Sequence, residues 1–141
     1  MAEGHSARRY IVKYIRPFTK NQQPTTNHQF VPHTDAIVVL TTLSSEEEAV
    51  KLVQVLLERR LIACGTVFPP ARSFYRWQNK VADEREVVVM LKTRSARLDS
   101  LQSAFQELHP YKVPELLALP VAAGSSKYLE WINGETSLAL T

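Results

Sequence analysis

Hydrophobic and polar positions divide this chain near residue 35. Upstream, residues 20–29 (Lys-Asn-Gln-Gln-Pro-Thr-Thr-Asn-His-Gln) are polar and without a period, the composition of a linker. Downstream, helical and strand periods alternate. Residues 36–41 (Ala-Ile-Val-Val-Leu-Thr) form a short continuous β-branched run, the mark of a strand covered on at least one face. Ser44 stands three before Glu47 and Ser45 three before Glu48, and either pair makes a capping box. Glu46, Glu47 and Glu48 then lie at the positive end of the helix dipole. Ala49, Leu52, Val53, Leu56 and Leu57 give this helix an apolar stripe, and it ends near Arg59 and Arg60.

Residues 61–68 predict a second strand, stopped by Pro69 and Pro70, which cannot donate to a sheet ladder. Residues 73–77 and 86–92, joined through Gln78, Asn79 and Lys80, predict an antiparallel hairpin. Thr93 or Ser95 can cap a second helix with Leu98, Leu101, Phe105 and Leu108 on its apolar face, and Pro110 ends it. Residues 116–121 predict a last strand, with Glu115 at its start, and a short helix carries Tyr128, Leu129 and Ile132.

Strand, helix, strand, strand, helix, strand is the order of an α+β fold. With right-handed crossovers it gives the ferredoxin-like split βαβ sandwich, an antiparallel sheet with the helices on one face. The other face then needs a cover. Phe68, Phe74, Tyr75, Trp77 and the run 87–91 (Val-Val-Val-Met-Leu) lack a clean polar alternation, and a bare apolar face of that size marks an interface. A homo-oligomer is expected on this ground.

Composition agrees with one ordinary domain. The chain has 141 residues, 45% hydrophobic and 22% charged, enough for a single core. Its net charge of +3 is unevenly placed: residues 1–34 carry Arg8, Arg9, Lys13, Arg16 and Lys20 against Glu3, which leaves the remainder close to neutral. Residues 1–34 are therefore expected to be a basic, flexible extension and residues 35–141 the folded domain. The balance is too mild to imply nucleic acid. The lone Cys64 excludes an intrachain disulfide and suits a reducing compartment. No apolar run is long enough to span a bilayer, so no membrane partner is expected.

The chemistry-bearing segment is 109–115 (His-Pro-Tyr-Lys-Val-Pro-Glu), which crowds an imidazole, two prolines, a phenol and a carboxylate together. His109 is the only histidine after residue 34, and imidazole is a natural ligand for copper or zinc. Cys64 can add a thiolate and Glu115 a carboxylate, so the candidate metal ligands are His109, Cys64 and Glu115. Lys92 and Tyr111 are candidates to line a small-ligand cleft, and Glu86 can join one if the fold brings it near. The chain lacks a glycine-rich phosphate loop, a cysteine pair and a His-Glu-x-x-His motif. It is not expected to be an enzyme, and no organic cofactor is implied.

Residues 38–42 (Val-Val-Leu-Thr-Thr), the Ser-Glu-Glu helix start, residues 60–64 (Arg-Leu-Ile-Ala-Cys), 73–77 (Ser-Phe-Tyr-Arg-Trp), 92–94 (Lys-Thr-Arg), 109–111 with Pro114-Glu115, and 128–132 (Tyr-Leu-Glu-Trp-Ile) together resemble the CutA divalent-ion tolerance family. The resemblance spans roughly residues 36 to 136. It implies a ferredoxin-like subunit, a tight homotrimer, a cytoplasmic setting, tolerance to divalent metals such as copper, and no agreed reaction. His109 matches the histidine of the family's His-Pro-Tyr motif and Cys64 matches a family cysteine. Where some members place a cysteine and a second histidine, this chain has Thr41 and Leu108. Two other roles stay open: a small-ligand-sensing trimer resembling PII-type signalling proteins, and a trimeric hub that anchors partner proteins through residues 1–34.

Overall fold

A computed structural model describes residues 30–32 and 34–137. The chain begins with a short strand β1 (Phe30–Pro32) and the central strand β2 (Ala36–Leu43). Helix α1 (Glu46–Glu58) starts at Ser45, whose hydroxyl accepts the Glu48 N–H at 3.2 Å, with Glu46, Glu47 and Glu48 in the first turn. That satisfies an orphan donor and sets negative charge at the positive helix end. Arg60 then takes φ 54°, a left-handed conformation that turns the chain sharply into the next segment.

Strand β3 (Cys64–Val67) is followed by a hairpin of β4 (Ala71–Trp77) and β5 (Lys80–Arg94). Its two-residue turn puts Gln78 at φ 47° and Asn79 at φ 62°. Two positive φ angles match the twist of the flanking strands. A turn of 3-10 helix (Ser95–Arg97) leads into α2 (Leu98–Leu108), and β6 (Leu117–Pro120), β7 (Ala123–Ser125) and α3 (Ser126–Glu135) complete the domain.

The main sheet runs β3-β5-β2-β6, all neighbours antiparallel, with β4 pairing the outer half of β5. This is the ferredoxin-like split βαβ order with a hairpin extension, as the element order predicts. Alternate residues of a strand face opposite sides. Ile37, Val39, Leu43, Val87, Val89 and Leu91 face α1 and α2 and close the core with Leu52, Val53, Leu56, Leu101 and Phe105. Gly65 is required there, since a Cβ on it would lie 2.5 Å from Val53 Cγ1. The opposite face carries Val38, Leu40, Val88 and Met90, half-buried, and no described helix covers it.

Four expectations are corrected. Phe30–Pro32, assigned to the flexible extension, is a strand that pairs with β7 from Phe30↔Ser125 to Pro32↔Ala123; the rest of residues 1–29 lies outside the described residues. Thr93 and Ser95 do not cap α2: β5 runs on to Arg94, and the buried Thr93 hydroxyl donates to the Leu61 carbonyl at 2.7 Å. Residues 61–63 are buried but precede β3, because the left-handed turn at Arg60 must be completed before pairing starts. The last strand begins at Leu117 rather than Glu115 and lies at the sheet edge with its side chains exposed. It pairs only with residues 37–40 of β2, so 41–43 meet the loop 109–116 there instead of a strand.

Candidate functional site

That loop carries the chemistry. His109 caps the end of α2, its N–H donating to Phe105 O at 2.9 Å, and Pro110 prevents the helix from continuing. The imidazole is 8% exposed and both of its nitrogens are engaged. The Tyr111 N–H donates to Nδ1 at 3.1 Å. Because a backbone N–H can only donate, Nδ1 carries no proton and Nε2 does, donating to Thr41 Oγ1 at 3.2 Å. Burial pulls the His109 pKa below its ordinary value, offset in part by the Thr42 backbone and the charge of Glu48. Charging the ring would set a second N–H against that of Tyr111, so this histidine is built to be neutral and to fix the loop.

The loop delivers Tyr111 and Glu115 into a cleft of about 630 Å³ bordered also by Thr42, Ser73, Tyr75, Trp77 and Glu86. Glu86 is 9% exposed and accepts the Tyr111 hydroxyl on Oε1 at 3.1 Å. Burial, then the bond and charge of Glu86, push the Tyr111 phenol well above its usual range, which keeps it a donor. Glu115 is raised as well, first by burial and then by the Glu86 carboxylate. Two carboxylates therefore share a partly dry space. Among the described residues no basic group forms an ion pair with either one. Lys112 also lines the cleft and pairs with neither.

The other candidates lie elsewhere. Cys64 pairs in register with Lys92, which pairs with Val38. The Lys92 ammonium reaches Cys64 Sγ at 3.7 Å, on the face without helices. Thr41 sits three residues beyond Val38 and so points to the opposite face. His109, bonded to Thr41, and Cys64 are thus separated by the sheet, and one subunit cannot offer both to one ion. Lys92 is six residues along β5 from Glu86, roughly 20 Å for extended chain, so Lys92 and Tyr111 do not line one cleft. Among the described residues no three His, Cys, Asp or Glu side chains converge with metal-holding geometry.

The sequence placed Glu86 in a cleft only if the fold brought it near, and marked Tyr75 and Trp77 as interface aromatics, a role that stands beside their place in the cleft lining. One signal was available: Glu86 opens the apolar run 87–91, and an acid at the head of a buried strand needs a partner.

Residues 37–135 match the family model described as CutA1 divalent ion tolerance protein. The chain belongs to the CutA1 family. The divalent-cation tolerance protein CutA of Thermus thermophilus is 41% identical over 99 residues, 70% of this chain and 96% of that protein. A chloroplastic CutA of Arabidopsis thaliana is 38% identical over 101 residues, 72% of this chain and 56% of that one. The solved structure of CutA from Synechococcus elongatus matches with a TM-score of 0.74 and 38% identity over 77% of this chain and 96% of that chain. CutA1 from Oryza sativa matches at 0.71 and 36% identity, over 74% and 95%. These relatives are named for tolerance of divalent ions or simply as CutA, and none of the names states a reaction. All the cleft residues fall within the CutA1 match.

Proposed function

We propose that this CutA1-family chain serves divalent-cation tolerance as a homotrimer, holding a divalent cation in the cleft with Glu86 and Glu115 as donors. One observation carries the reading: Glu86 is nearly buried beside a second carboxylate, and no basic group of the described residues pairs with it. A buried charge without a counter-ion is strongly destabilising, and an incoming cation relieves it. Carboxylate oxygens complemented by water suit manganese, magnesium or zinc. A copper site on His109 would have to break the His109–Tyr111 bond, and one on Cys64 would lie across the sheet from that imidazole and beside Lys92 rather than beside Glu86. The PII-like reading has less support, because a cleft bearing two carboxylates repels an anion. The hub reading rests on residues 1–34, most of which lie outside the described residues.

Calorimetry with manganese, zinc and copper on the wild type, Glu86→Gln, Glu115→Gln, His109→Ala and Cys64→Ser tests the assignment. Binding is expected to weaken by tenfold or more, about 1.4 kcal/mol, in the two glutamine variants and to persist in Cys64→Ser. Equal affinity in Glu115→Gln and the wild type, with loss in His109→Ala, would transfer the site to the imidazole.

A further inference from the structure

Residues 110–115 are tied to the fold by few polar contacts. Pro110 and Pro114 have no N–H to give. Among the described residues the hydrogen bonds of this loop are the two made by Tyr111, its N–H on His109 Nδ1 and its hydroxyl on Glu86 Oε1, each at 3.1 Å. The two partners lie on opposite sides of the sheet. Thr41, which holds the other ring nitrogen at 3.2 Å, is fully buried and pairs with Val89 of the core. Glu86 stands two residues before Val88 and so shares the open face with it. Within three residues the loop thus passes from the core side, round β2 beyond the end of β6, to the face proposed for subunit contact.

A proton on His109 breaks this connection at its first link. The charged ring carries an N–H on both nitrogens, so Nδ1 would meet the Tyr111 N–H as a second donor. The surroundings of the ring offer little compensation. From β2 it meets the neutral Thr41 and Thr42, from α2 the Phe105 ring at 5.5 Å, and from its own loop the Tyr111 ring at 5.2 Å. From α1 it feels the charge of Glu48, whose carboxylate takes its hydrogen bond from Ser44 rather than from the ring. Burial opposes the charged form more than Glu48 favours it, which is why the pKa lies below the ordinary value.

From this arrangement we infer that His109 is a proton-operated latch: neutral, it holds Tyr111 on Glu86 and the loop against the open face, and protonated, it frees Tyr111 and loosens the contact between subunits. The loosening rests on the homotrimer of the proposed function, whereas the release of Tyr111 does not. Once Tyr111 leaves, Glu86 loses its hydrogen-bond donor among the described residues while staying nearly buried. An unpaired charge is costly to keep beneath a covering subunit. The imidazole acts on the open face through Tyr111, so it is a positioning residue.

The test follows the full-length, chelator-treated protein between about pH 8 and about pH 4, a range that brackets the ordinary histidine value. Imidazole nitrogen NMR reads the tautomer and titration of His109, hydrogen-exchange protection reads the Tyr111 amide, and light scattering reads the mass. At the upper end Nε2 is expected to carry the proton. Tyr111 protection should then fall with the same midpoint as the imidazole, below about pH 6.5, and the mass should fall from that of a trimer with it, the circular dichroism staying that of a folded subunit. His109→Asn keeps the latch shut. Its side-chain oxygen can take the Tyr111 N–H two residues on, as in an Asx turn, and it has no proton to gain, so protection and mass should hold across the range. An imidazole that stays neutral throughout, constant Tyr111 protection while it titrates, or the same acid loss in His109→Asn would overturn the latch, the last by assigning the effect to Glu86 and Glu115. Lost protection with an unchanged trimer would overturn the link to assembly. A wild type that is monomeric at the upper end would overturn the homotrimer reading, and the Tyr111 amide would still decide the latch.

Discussion

At the scale of single residues, His109 shows how a side chain with metal-ligand chemistry becomes a positioning group. Its two nitrogens are committed to Thr41 and to the Tyr111 backbone, and the second bond orients the peptide that sends Tyr111 to Glu86. Nothing in the local sequence announces this, because Thr41 lies 68 positions away. The protonation state has a consequence. Because the folded protein holds the His109 pKa below its ordinary value, the unfolded chain takes up the proton first. The stability this group contributes is therefore present above about pH 6.5 and is lost as pH falls below that value toward the folded pKa. Glu115 acts in the opposite sense, since its raised folded pKa favours uptake of a proton on acidification. The melting temperature of the wild type is expected to fall more steeply between pH 7 and pH 5 than that of His109→Gln, in which position 109 has no proton to gain. Parallel profiles would show that the imidazole is not held neutral.

At the scale of elements, most of the chain was readable. The Ser45 side-chain cap, the stripe of α1, the β4–β5 hairpin and the stop at Pro110 all form where local patterning places them, because each depends on contacts within a few residues. The misreadings share one cause. Thr93 has the chemistry of a helix cap but a strand position, and its hydroxyl is claimed by Leu61, whose sequence distance hides it. Gly65 carries a requirement of the same long-range kind. Replacing it with alanine would drive a methyl into both Val53 methyl groups, at 2.5 and 2.8 Å, on a β-branched side chain with little freedom to move. Gly65→Ala is expected to destabilise the subunit by about 1–3 kcal/mol, read by urea unfolding, and Val53→Ala in the same chain should recover part of the loss.

At the scale of the molecule, the open sheet face is the feature left over. Leu117 and Leu119 on β6 are 55% and 46% exposed, next to half-buried Leu40 and Val38 in register. An apolar face of this kind is the ground for the proposed homotrimer. Light scattering should give three times the 16.0 kDa subunit mass, and Leu119→Arg should shift the protein toward the monomer with its circular dichroism preserved. A monomeric wild type would leave the face without its proposed cover.

Sequence alone determined the strands and helices of the split βαβ sheet and their order, though not β1 or β7, because periodicity, caps and proline stops act locally and few topologies satisfy right-handed crossovers. It also sufficed for the family resemblance, since the matching segments are read in order along the chain. What only the tertiary structure decided is which chemical groups meet. Strand alternation put Cys64 and His109 on opposite faces, the long β5 separated Lys92 from Tyr111, and the short β6 opened the edge through which the loop carries Tyr111 and Glu115 to Glu86. The cleft comes from residues far apart in sequence, and its chemistry depends on burial and on partners, both properties of the folded chain.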